Sequence, residues 1–403
     1  MRYNKYWIIG SALVFLIIGL YSGERVFFMG FAITVSLILY SIITSLWVLY
    51  DFNYLQNLIP SVITKGSKAT LRIELHNDKP FIFPYIKLYY QTPENVILGS
   101  FKEWVTYVFP FANHKIEEEF ICGLRGQYAL GIVKVEVRDL FGFFTFSMNL
   151  TEQYYHKQLS LTVRPRVLLL SALPLPQLHL EGVLNKEFSS VEEPASIADL
   201  RLYRFADPLK KIHWKVSAKL QEIYVKNYET NAQPQIFVLM ETCPSSGDVM
   251  TRFMIEDQIV ECTTAIAHYV LSKSLPLNLV IYQQNRQHLS GREPQDFERF
   301  YGFLSSIPFD SSFTISDVLE MESASLSHSG SLLLVIHHMT GSIFNHLCIM
   351  KQSSVHPILF LVQPPDLNNI DSMKMLRELN EKGIPSFLIR TNERLDEVME
   401  VIL

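Results

Sequence analysis

The sequence predicts a mixed β and α/β chain: an N-terminal transmembrane helical hairpin, then an antiparallel β-sandwich, then a doubly wound parallel sheet. Three observations support this. Two long uncharged segments stand first, short alternating strands fill the middle, and apolar runs alternate with helical patterns at the C-terminal end. The predicted segments are a two-helix membrane anchor at 1–55, a β-sandwich at 56–165, a linking segment at 166–233 and the α/β domain at 234–403.

The anchor consists of residues 6–23 and 26–50, which contain no charged side chain. At a rise of about 1.5 Å per residue, each segment can cross a hydrocarbon core of about 30 Å. Only Glu24 and Arg25 separate them, which predicts a tight hairpin. A cleaved signal peptide is the alternative for the first segment. Against it, the apolar run is too long, no small-residue cleavage site is evident, and a second span follows at once.

The charges around the anchor predict its orientation. Arg2 and Lys5 precede the first span, whereas Arg25 in the loop is offset by Glu24. The positive-inside rule therefore puts the N-terminus in the cytoplasm, and two spans return the soluble part to the same side. Four cysteines without a CxxC pair agree, because free thiols are typical of a reducing compartment.

The middle segment contains short strands with alternating apolar and polar residues. Residues 69–76 and 133–138 show the pattern most clearly, and residues 85–90 and 159–163 resemble them. Glycine and asparagine turn signals separate these strands, and such spacing is typical of an antiparallel β-sandwich of the immunoglobulin-like kind.

One turn in this segment has an unusual composition, with aromatic residues on both sides of a glycine. Asp139 precedes Leu140, Phe141, Gly142 and Phe143. Asp139 can accept hydrogen bonds from nearby backbone amides, and Gly142 can adopt positive φ. A catalytic aspartate would need a base or a metal partner, and none is near in sequence. We therefore predict a structural turn, and we give the same interpretation to Gly126 in the segment 125–131.

The C-terminal domain alternates buried-looking strands with helices. The predicted strands are 235–241, 277–282, 331–337, 356–362 and 385–390, and the predicted helices are 249–273, 293–305, 341–351, 370–382 and 392–401. This alternation predicts a doubly wound parallel sheet, whose ligands bind at the carboxyl ends of the strands. Neither GxGxxG nor GxxxxGK[ST] occurs, so we expect no nucleotide site.

The linking segment contains the most distinctive residues of the chain, between 199 and 229. Basic and acidic residues alternate closely, and His213, Trp214 and Ser217 follow Asp207 within a short distance. A phosphate or nucleic-acid site, nucleophilic catalysis, and a membrane or partner surface are the functional alternatives. The structural alternative is that ion pairs and helix caps hold the segment in place. The net charge of −5 argues against nucleic-acid binding by bulk electrostatics.

This stretch resembles the signature of a bacterial family, domain of unknown function 58. The matching residues are Arg201, Tyr203, Asp207, Ile212, His213, Trp214, Lys215, Ser217, Ala218 and Lys219, with Lys210 or Lys211 at a basic position. Ala206 departs from the pattern, because the family has glycine there. The resemblance covers nearly the whole chain. It implies that the last domain is similar to a von Willebrand factor A domain.

The family's A-like domain holds Mg²⁺ through a DxSxS motif after its first strand, and the resemblance places Glu241, Cys243 and Ser245 at those positions. Glutamate is longer than aspartate, and a soft thiol suits Mg²⁺ poorly. Histidines 337 and 338, rather than an acid, follow the later strand. We therefore expect a degenerate metal site and no cofactor. Zn²⁺ bound by Cys243 with a histidine is the alternative, although closed zinc sites take four ligands.

The resemblance also implies a setting. Members of the family are similar in occurring with MoxR-type AAA+ ATPases and transglutaminase-like membrane proteins. We therefore expect a non-enzymatic adaptor at the bacterial cell membrane that acts in assembly or maturation of membrane or envelope components. In this hypothesis the strand-end loops contact the ATPase and the basic signature locks the β-domain in place. The alternatives are a metal-dependent hydrolase that uses Asp207, His213 or Glu241, and a sensor or adhesion module facing the envelope.

Overall fold

The computed structural model describes residues 4–50, 52–91, 97–98, 103–151, 158–176, 197–203, 212–228, 235–326, 330–353, 355–365, 370–391 and 393. The chain forms two compact units, Met1–Arg166 and Val167–Leu403. The predicted anchor and β-domain thus share the first unit, and the linking segment belongs to the second.

Two helices begin the first unit, α1 (Asn4–Ser22) and α2 (Arg25–Tyr50). They pack against each other, and a Cβ atom on Gly30 would lie 3.0 Å from the ring of Phe15. Of the described helices, α2 alone is long and apolar enough to cross a membrane. The apolar part of α1, Tyr6–Ser22, is shorter. At about 1.5 Å per residue it spans about 26 Å, less than a core of about 30 Å.

Ten strands follow in the same unit. They are β1 (Asn53–Ile59), β2 (Val62–Thr64), β3 (Lys68–Asn77), β4 (Phe83–Gln91), β5 (Ile97–Leu98), β6 (Trp104–Val108), β7 (Ala112–Cys122), β8 (Gly126–Arg138), β9 (Thr145–Asn149) and β10 (Leu159–Arg164). One sheet has the order β1-β3-β7-β5, and the other has the order β2-β10-β8-β4-β6 with β9 also paired to β8. One pair, β2 with β10, is parallel, because the chain changes sheets after Pro60 and then runs beside the last strand.

The alternating residues of these strands point into one cluster of buried side chains. Leu71 and Ile73 of β3 and Ile86 and Leu88 of β4 are all in it, so both sheets contribute. Val48 and Leu49 of α2 belong to the same cluster. The last turns of α2 are therefore part of the core of the β-domain.

The second unit contains a small subdomain of two strands and a helix. The strand β11 (Ile197–Leu202) pairs antiparallel with β12 (Tyr224–Tyr228), and the helix α3 (Trp214–Leu220) lies between them in the chain. Before it, Leu168, Leu170 and Leu173 are buried in the core of the unit. Residues 165–176 form neither a helix nor a strand.

The second unit is built on a six-stranded sheet. Its strands are β13 (Ile236–Met240), β14 (Leu277–Tyr282), β15 (Arg286–Gly291), β16 (Ser331–Ile336), β17 (His356–Gln363) and β18 (Ser386–Arg390), in the order β15-β14-β13-β16-β17-β18. Its helices are α4 (Val249–Ser272), α5 (Phe297–Ser305), α6 (Ile315–Met321), α7 (Ser323–Leu326), α8 (Gly341–Gln352) and α9 (Ile370–Glu381). A 3₁₀ turn, Pro294–Asp296, precedes α5.

All five predicted strands of this domain form, and they are parallel. The sequence missed β15, an antiparallel edge strand with a half-exposed pattern, and it also missed α6 and α7. The predicted helix at 392–401 lies outside the described residues. Side chains of β13 point alternately into two clusters, Ile236 and Val238 into one and Phe237 and Leu239 into the other. Helices therefore cover both faces, as expected of a doubly wound sheet.

Candidate functional site

The strand order reverses between β13 and β16, which are neighbouring parallel strands. In open α/β sheets, ligands bind outside the carboxyl ends of the strands at such a point. Glu241 follows β13 directly, and His337 follows β16. The sheet thus brings together two residues that are far apart in the sequence, and we call this edge the strand-end site.

Glu241 is buried, with 6% of its surface exposed, and this chain itself supplies its partners. Its Oε2 accepts a hydrogen bond from the backbone amide of His337 at 2.8 Å. The imidazole Nδ1 of His337 lies 2.9 Å from the same oxygen. The geometry of this second contact is not that of a hydrogen bond, because Nδ1 has no hydrogen-bond partner among the described residues. The amide and the imidazole together hold the carboxylate against β16.

The residues after Glu241 fix the loop that leaves β13. Thr242 Oγ1 donates to the carbonyl of Tyr282 at 2.6 Å, and the carbonyl of Thr242 accepts from the amide of Ser311 at 3.1 Å. Burial, and then the charge of Glu241, raises the pKa of the Cys243 thiol. Ser245 is buried, and its hydroxyl has no hydrogen-bond partner among the described residues. Hydrogen bonds of Thr242 therefore fix the start of the loop, while Pro244 and Ser246 remain exposed.

These residues do not fit a Mg²⁺ site as they are arranged. The orphaned hydroxyl of Ser245 is the one feature that suits an ion. The carboxylate of Glu241 is engaged by His337, and a thiol with a raised pKa stays protonated. For Zn²⁺, the described residues contain no group of three or more histidine, cysteine or acidic side chains placed to hold a metal. We therefore assign no reaction step to a metal here.

The sequence missed a second polar cluster at the same edge. Glu322, at the end of the short helices α6 and α7, is buried and accepts from Tyr282 Oη at 2.7 Å and from Arg286 Nη2 at 3.1 Å. The hydrogen bond from Arg286 is the main cause that lowers the pKa of the Glu322 carboxyl. Thr242 joins this cluster to the strand-end site through the carbonyl of Tyr282. No local sequence pattern predicts this cluster, because its members come from three separate parts of the chain.

The family signature lies in the subdomain of β11, α3 and β12. The helix α3 begins at Trp214, and His213 caps it by accepting the Val216 amide on Nδ1 at 3.4 Å. Ser217 Oγ accepts the Tyr224 amide at 2.9 Å. Both side chains serve the backbone, which favours the structural interpretation over nucleophilic catalysis. Asp207 lies outside the described residues, and so does the side chain of Arg201.

Among the remaining signature residues that the structure describes, Ile212 is buried, whereas Trp214, Lys215, Ala218 and Lys219 are exposed. Trp214 has 67% of its surface exposed, Lys215 is also exposed, and Tyr203 is half-buried with its amide donating to Ile223 O at 2.8 Å. Among the described residues, Lys215 and Lys219 form no ion pair, and Asp207, Lys210, Lys211 and Glu229 of the expected network lie outside that part of the chain.

Comparison with known proteins gives a family and several structural neighbours. Residues 199–292 match the family model described as "Protein of unknown function DUF58". Comparison with curated proteins gives no match. An aerotolerance-related membrane protein from Bacteroides fragilis NCTC 9343 is 12% identical, with 42% of this chain and 96% of that chain covered and a TM-score of 0.30.

Two further solved structures are similar. The VWA domain of SpRpn10 is 12% identical, with 42% of this chain and 93% of that chain covered and a TM-score of 0.29. The CARDB domain of a Pyrococcus furiosus protein is 17% identical, with 28% and 92% covered and a TM-score of 0.20. These scores carry no argument about function, and the sheet order above describes the fold independently of them. The family match starts at Asp199, where the signature begins. The resemblance to this family is therefore confirmed, and the chain carries the DUF58 domain over residues 199–292.

Proposed function

We propose that this protein is a membrane-anchored, non-enzymatic interaction protein. Its strand-end site contacts a AAA+ ATPase of the MoxR type, and a transglutaminase-like membrane protein is a further partner. Together they act in assembly or maturation of membrane or envelope components. The classes of partner come from the family resemblance, and the contact site comes from the arrangement of residues at the sheet edge.

One observation carries the proposal: the loop at residues 244–248 is exposed, except at the buried Ser245, although the residues beneath it are fixed. Glu241 and Thr242 below it are buried and hydrogen-bonded to distant strands. A loop held in this way loses little conformational entropy when a partner binds. Glu241, which the family resemblance places at a metal-ligand position, is instead engaged by the backbone amide of His337. A partner can therefore meet this loop without a bridging metal.

The signature offers a second contact surface. Trp214 is exposed, and so are three other apolar side chains of the same subdomain, Leu202, Leu220 and Ile223. Tryptophan is enriched among the residues that dominate binding energy at protein interfaces. The helix cap at His213 and the bonds of Ser217 fix the backbone below this surface. This surface supports an interaction protein more than a catalyst.

We propose further that α1 and α2 both cross the bilayer as a hairpin, that the two sheets of the first unit form a sandwich, and that the soluble part is cytoplasmic. Close packing at Gly30 against Phe15, and of Gly19 against Phe28, supports the antiparallel pair. The short reach of α1 agrees with a locally thinned bilayer. Reporter fusions at the C-terminus test the side, because a reporter active only outside the cell contradicts a cytoplasmic domain.

Affinity capture of the full-length protein in mild detergent, with and without ATP, tests the proposed partner by mass spectrometry. We expect a AAA+ ATPase to be recovered by the unaltered chain and lost with Ser246→Arg, which places a bulky cation on the exposed loop. Gln352→Arg is the matched control, because Gln352 is also exposed but precedes β17 at the opposite edge of the sheet. This control should retain the ATPase.

Two outcomes oppose the proposal. If no AAA+ ATPase is recovered under either condition, the partner is wrong. If both arginine variants lose it equally, the contact is not at the strand-end site. The hydrolase alternative has its own test, since a metal titration of the full chain that shows stoichiometric binding would favour it.

A further inference from the structure

The turn between β8 and β9 lies beside the second helix of the anchor. A small cavity of about 30 Å³ is lined by Tyr40, Thr44 and Ser45 of α2 on one side and by Asp139 and Leu140 on the other. The turn therefore touches α2 at the level of Tyr40 to Ser45. The position of this turn along α2 determines whether the turn can reach the surface of a membrane that α2 crosses.

The packing of α1 on α2 gives that level. Phe15 lies against Gly30, and Phe28 lies against Gly19, so the two helices run antiparallel with Trp7 roughly opposite Tyr40. Beyond Tyr40, α2 continues for ten residues, about 15 Å at about 1.5 Å per residue. In these last turns Val48 and Leu49 enter the core of the β-domain. Tyr40 therefore marks where the paired part of the anchor ends and the folded domain begins.

Aromatic residues mark the same level from the anchor side. Tyr6, Trp7 and Tyr40 are all exposed. Tryptophan and tyrosine are enriched where a membrane meets water. The stretch from Arg25 to Tyr40 is about 24 Å long at about 1.5 Å per residue, shorter than a core of about 30 Å. A span shorter than the core is accommodated by local thinning of the bilayer, which brings the membrane surface close to the attached domain.

The turn at this level presents apolar side chains outward. Leu140 has 57% and Phe141 has 39% of its surface exposed, and the ring of Phe143 stacks on that of Phe141 at 5.5 Å. The backbone cannot fold them inward. Asp139 accepts from the amides of Phe141 at 3.1 Å and Phe144 at 2.7 Å, and Gly142 has a φ of +71°. Their exposure is thus built into the fold.

We propose that this turn, residues 140–143, is a lipid-contacting element that inserts its leucine and phenylalanine side chains into the membrane interface next to α2. The proposal rests on the proposed anchor. Leucine and phenylalanine are the side chains that interfacial elements bury at the boundary between headgroups and acyl chains, at a depth of about 5–10 Å. The guanidinium of Arg138 precedes the turn, over the ring of Tyr85 at 4.7 Å, where it can meet lipid phosphates. The β-domain is then held to the bilayer at two points and does not swing on its helix.

Depth-resolved fluorescence quenching tests this in the full-length protein reconstituted into phosphatidylcholine and phosphatidylglycerol vesicles. Cys243→Ser and Cys348→Ser remove the two half-buried thiols, and Cys122 and Cys262 are fully buried. A polarity-sensitive dye is then attached to Phe141→Cys, with Leu140→Cys as an independent second site. Nitroxide lipids carry the quencher either near the headgroup or near the end of the acyl chain.

Two labelled controls frame the result. Ile33→Cys is on the exposed surface of α2 and reports on the anchor. Lys68→Cys is exposed at the far end of β3, about 30 Å from Asn77 at about 3.3 Å per residue. Asn77 is next to the anchor, since its side-chain amide bonds to the carbonyl of Phe81, whose ring contacts Trp47.

We expect labels at 140 and 141 to lose fluorescence with the shallow quencher more than with the deep one. The label at 33 should respond to the deep quencher, and the label at 68 to neither. If position 33 is quenched but positions 140 and 141 behave like position 68, the turn is in water and the inference is overturned while the anchor stands. If position 33 is not quenched either, the anchor proposal fails, and the inference about the turn fails with the proposal on which it rests.

Discussion

Asp139 and Glu241 are both buried carboxylates just past the end of a strand, but they find their partners at very different distances along the chain. Asp139, with 4% of its surface exposed, accepts from amides two and five residues further on. Glu241 accepts from the amide of His337, 96 residues further on. The first carboxylate shapes one turn, and the second joins two strands. We call Asp139 with its nearby donors a local brace, because it stabilises a single turn. We call Glu241 with its distant donor a closed site, because it joins two strands.

The largest effect should follow removal of the local brace. Asp139→Ala leaves the amides of Phe141 and Phe144 without their acceptor in a part-buried turn. A hydrogen bond to a charged group contributes about 1.5–3 kcal/mol, so we expect a loss of about 3 kcal/mol or more in the free energy of unfolding of the first unit. Urea unfolding of the full chain in detergent, followed by hydrogen exchange of amides in β8 and β9, measures it.

Two other variants bracket this prediction. Asp139→Asn keeps an acceptor and should lose less, and Asp78→Ala, at an exposed aspartate, should change stability by no more than about 0.5 kcal/mol. An Asp139→Ala variant as stable as Asp78→Ala would show that the turn holds its shape without the carboxylate.

A third buried carboxylate, Glu322, sharpens the comparison because its partners are distant and one is charged. Glu322→Gln removes the negative charge that faces Arg286. We expect a loss of about 2 kcal/mol, within the range for hydrogen bonds to charged groups. The matched control is Glu117→Gln, which breaks an exposed pair with Arg72 and should cost less than about 1 kcal/mol. Hydrogen exchange of amides in β14 and β15 reports the first effect locally.

The same carboxylate predicts a pH dependence. The hydrogen bond from Arg286 lowers its pKa when folded, so the unfolded chain takes up the proton first as pH falls. Its contribution is fully present above its usual pKa of about 4.5 and is lost as pH falls below that value through the lowered folded pKa. Glu322→Gln should therefore weaken the pH dependence of stability below about pH 4.5. An unchanged dependence would contradict the assignment.

These carboxylates also show what the sequence could predict. The Asp139 turn was readable because all its donors lie within five residues, and periodicity identified the strands of the parallel sheet because each strand is buried on both faces. Edge strand β15 was missed because its side chains alternate between exposed and half-buried, and the helices α6 and α7 were missed because they are short.

The strand-end site was predictable only in part. The sequence placed Glu241, Cys243 and Ser245 at the end of the first strand and His337 at the end of another, and the sheet brings these ends together. It could not show that the imidazole and amide of His337 would both face Glu241, since that depends on the register between β13 and β16. Nor could it bring together Tyr282, Arg286 and Glu322, which meet only through tertiary packing.

A smaller effect should appear if the closed site is reopened. The double variant Glu241→Asp/Cys243→Ser restores the DxSxS pattern, and the shorter carboxylate withdraws from His337. We expect Mg²⁺ to stabilise this variant, by about 1.4 kcal/mol at about ten times its dissociation constant, and to leave the unaltered chain unchanged. Thermal unfolding with and without Mg²⁺ measures it. Adding Ser245→Ala should abolish the gain, and equal stabilisation of the unaltered chain would mean that Glu241 already binds the ion.

The smallest predicted effect tests whether the charge of Glu241 persists beside His337. Burial is the main cause of the raised pKa of the Cys243 thiol, and Glu241 adds to it. Glu241→Gln should therefore lower that pKa and raise the thiolate fraction at fixed pH, while burial keeps the pKa above its usual value. The pH profile of alkylation in a Cys348→Ser background measures this, with Asp248→Asn as a control that removes an exposed charge from the same loop. If the profile does not move with Glu241→Gln, a protonated His337 already balances the carboxylate, and Glu241 and His337 form an ion pair.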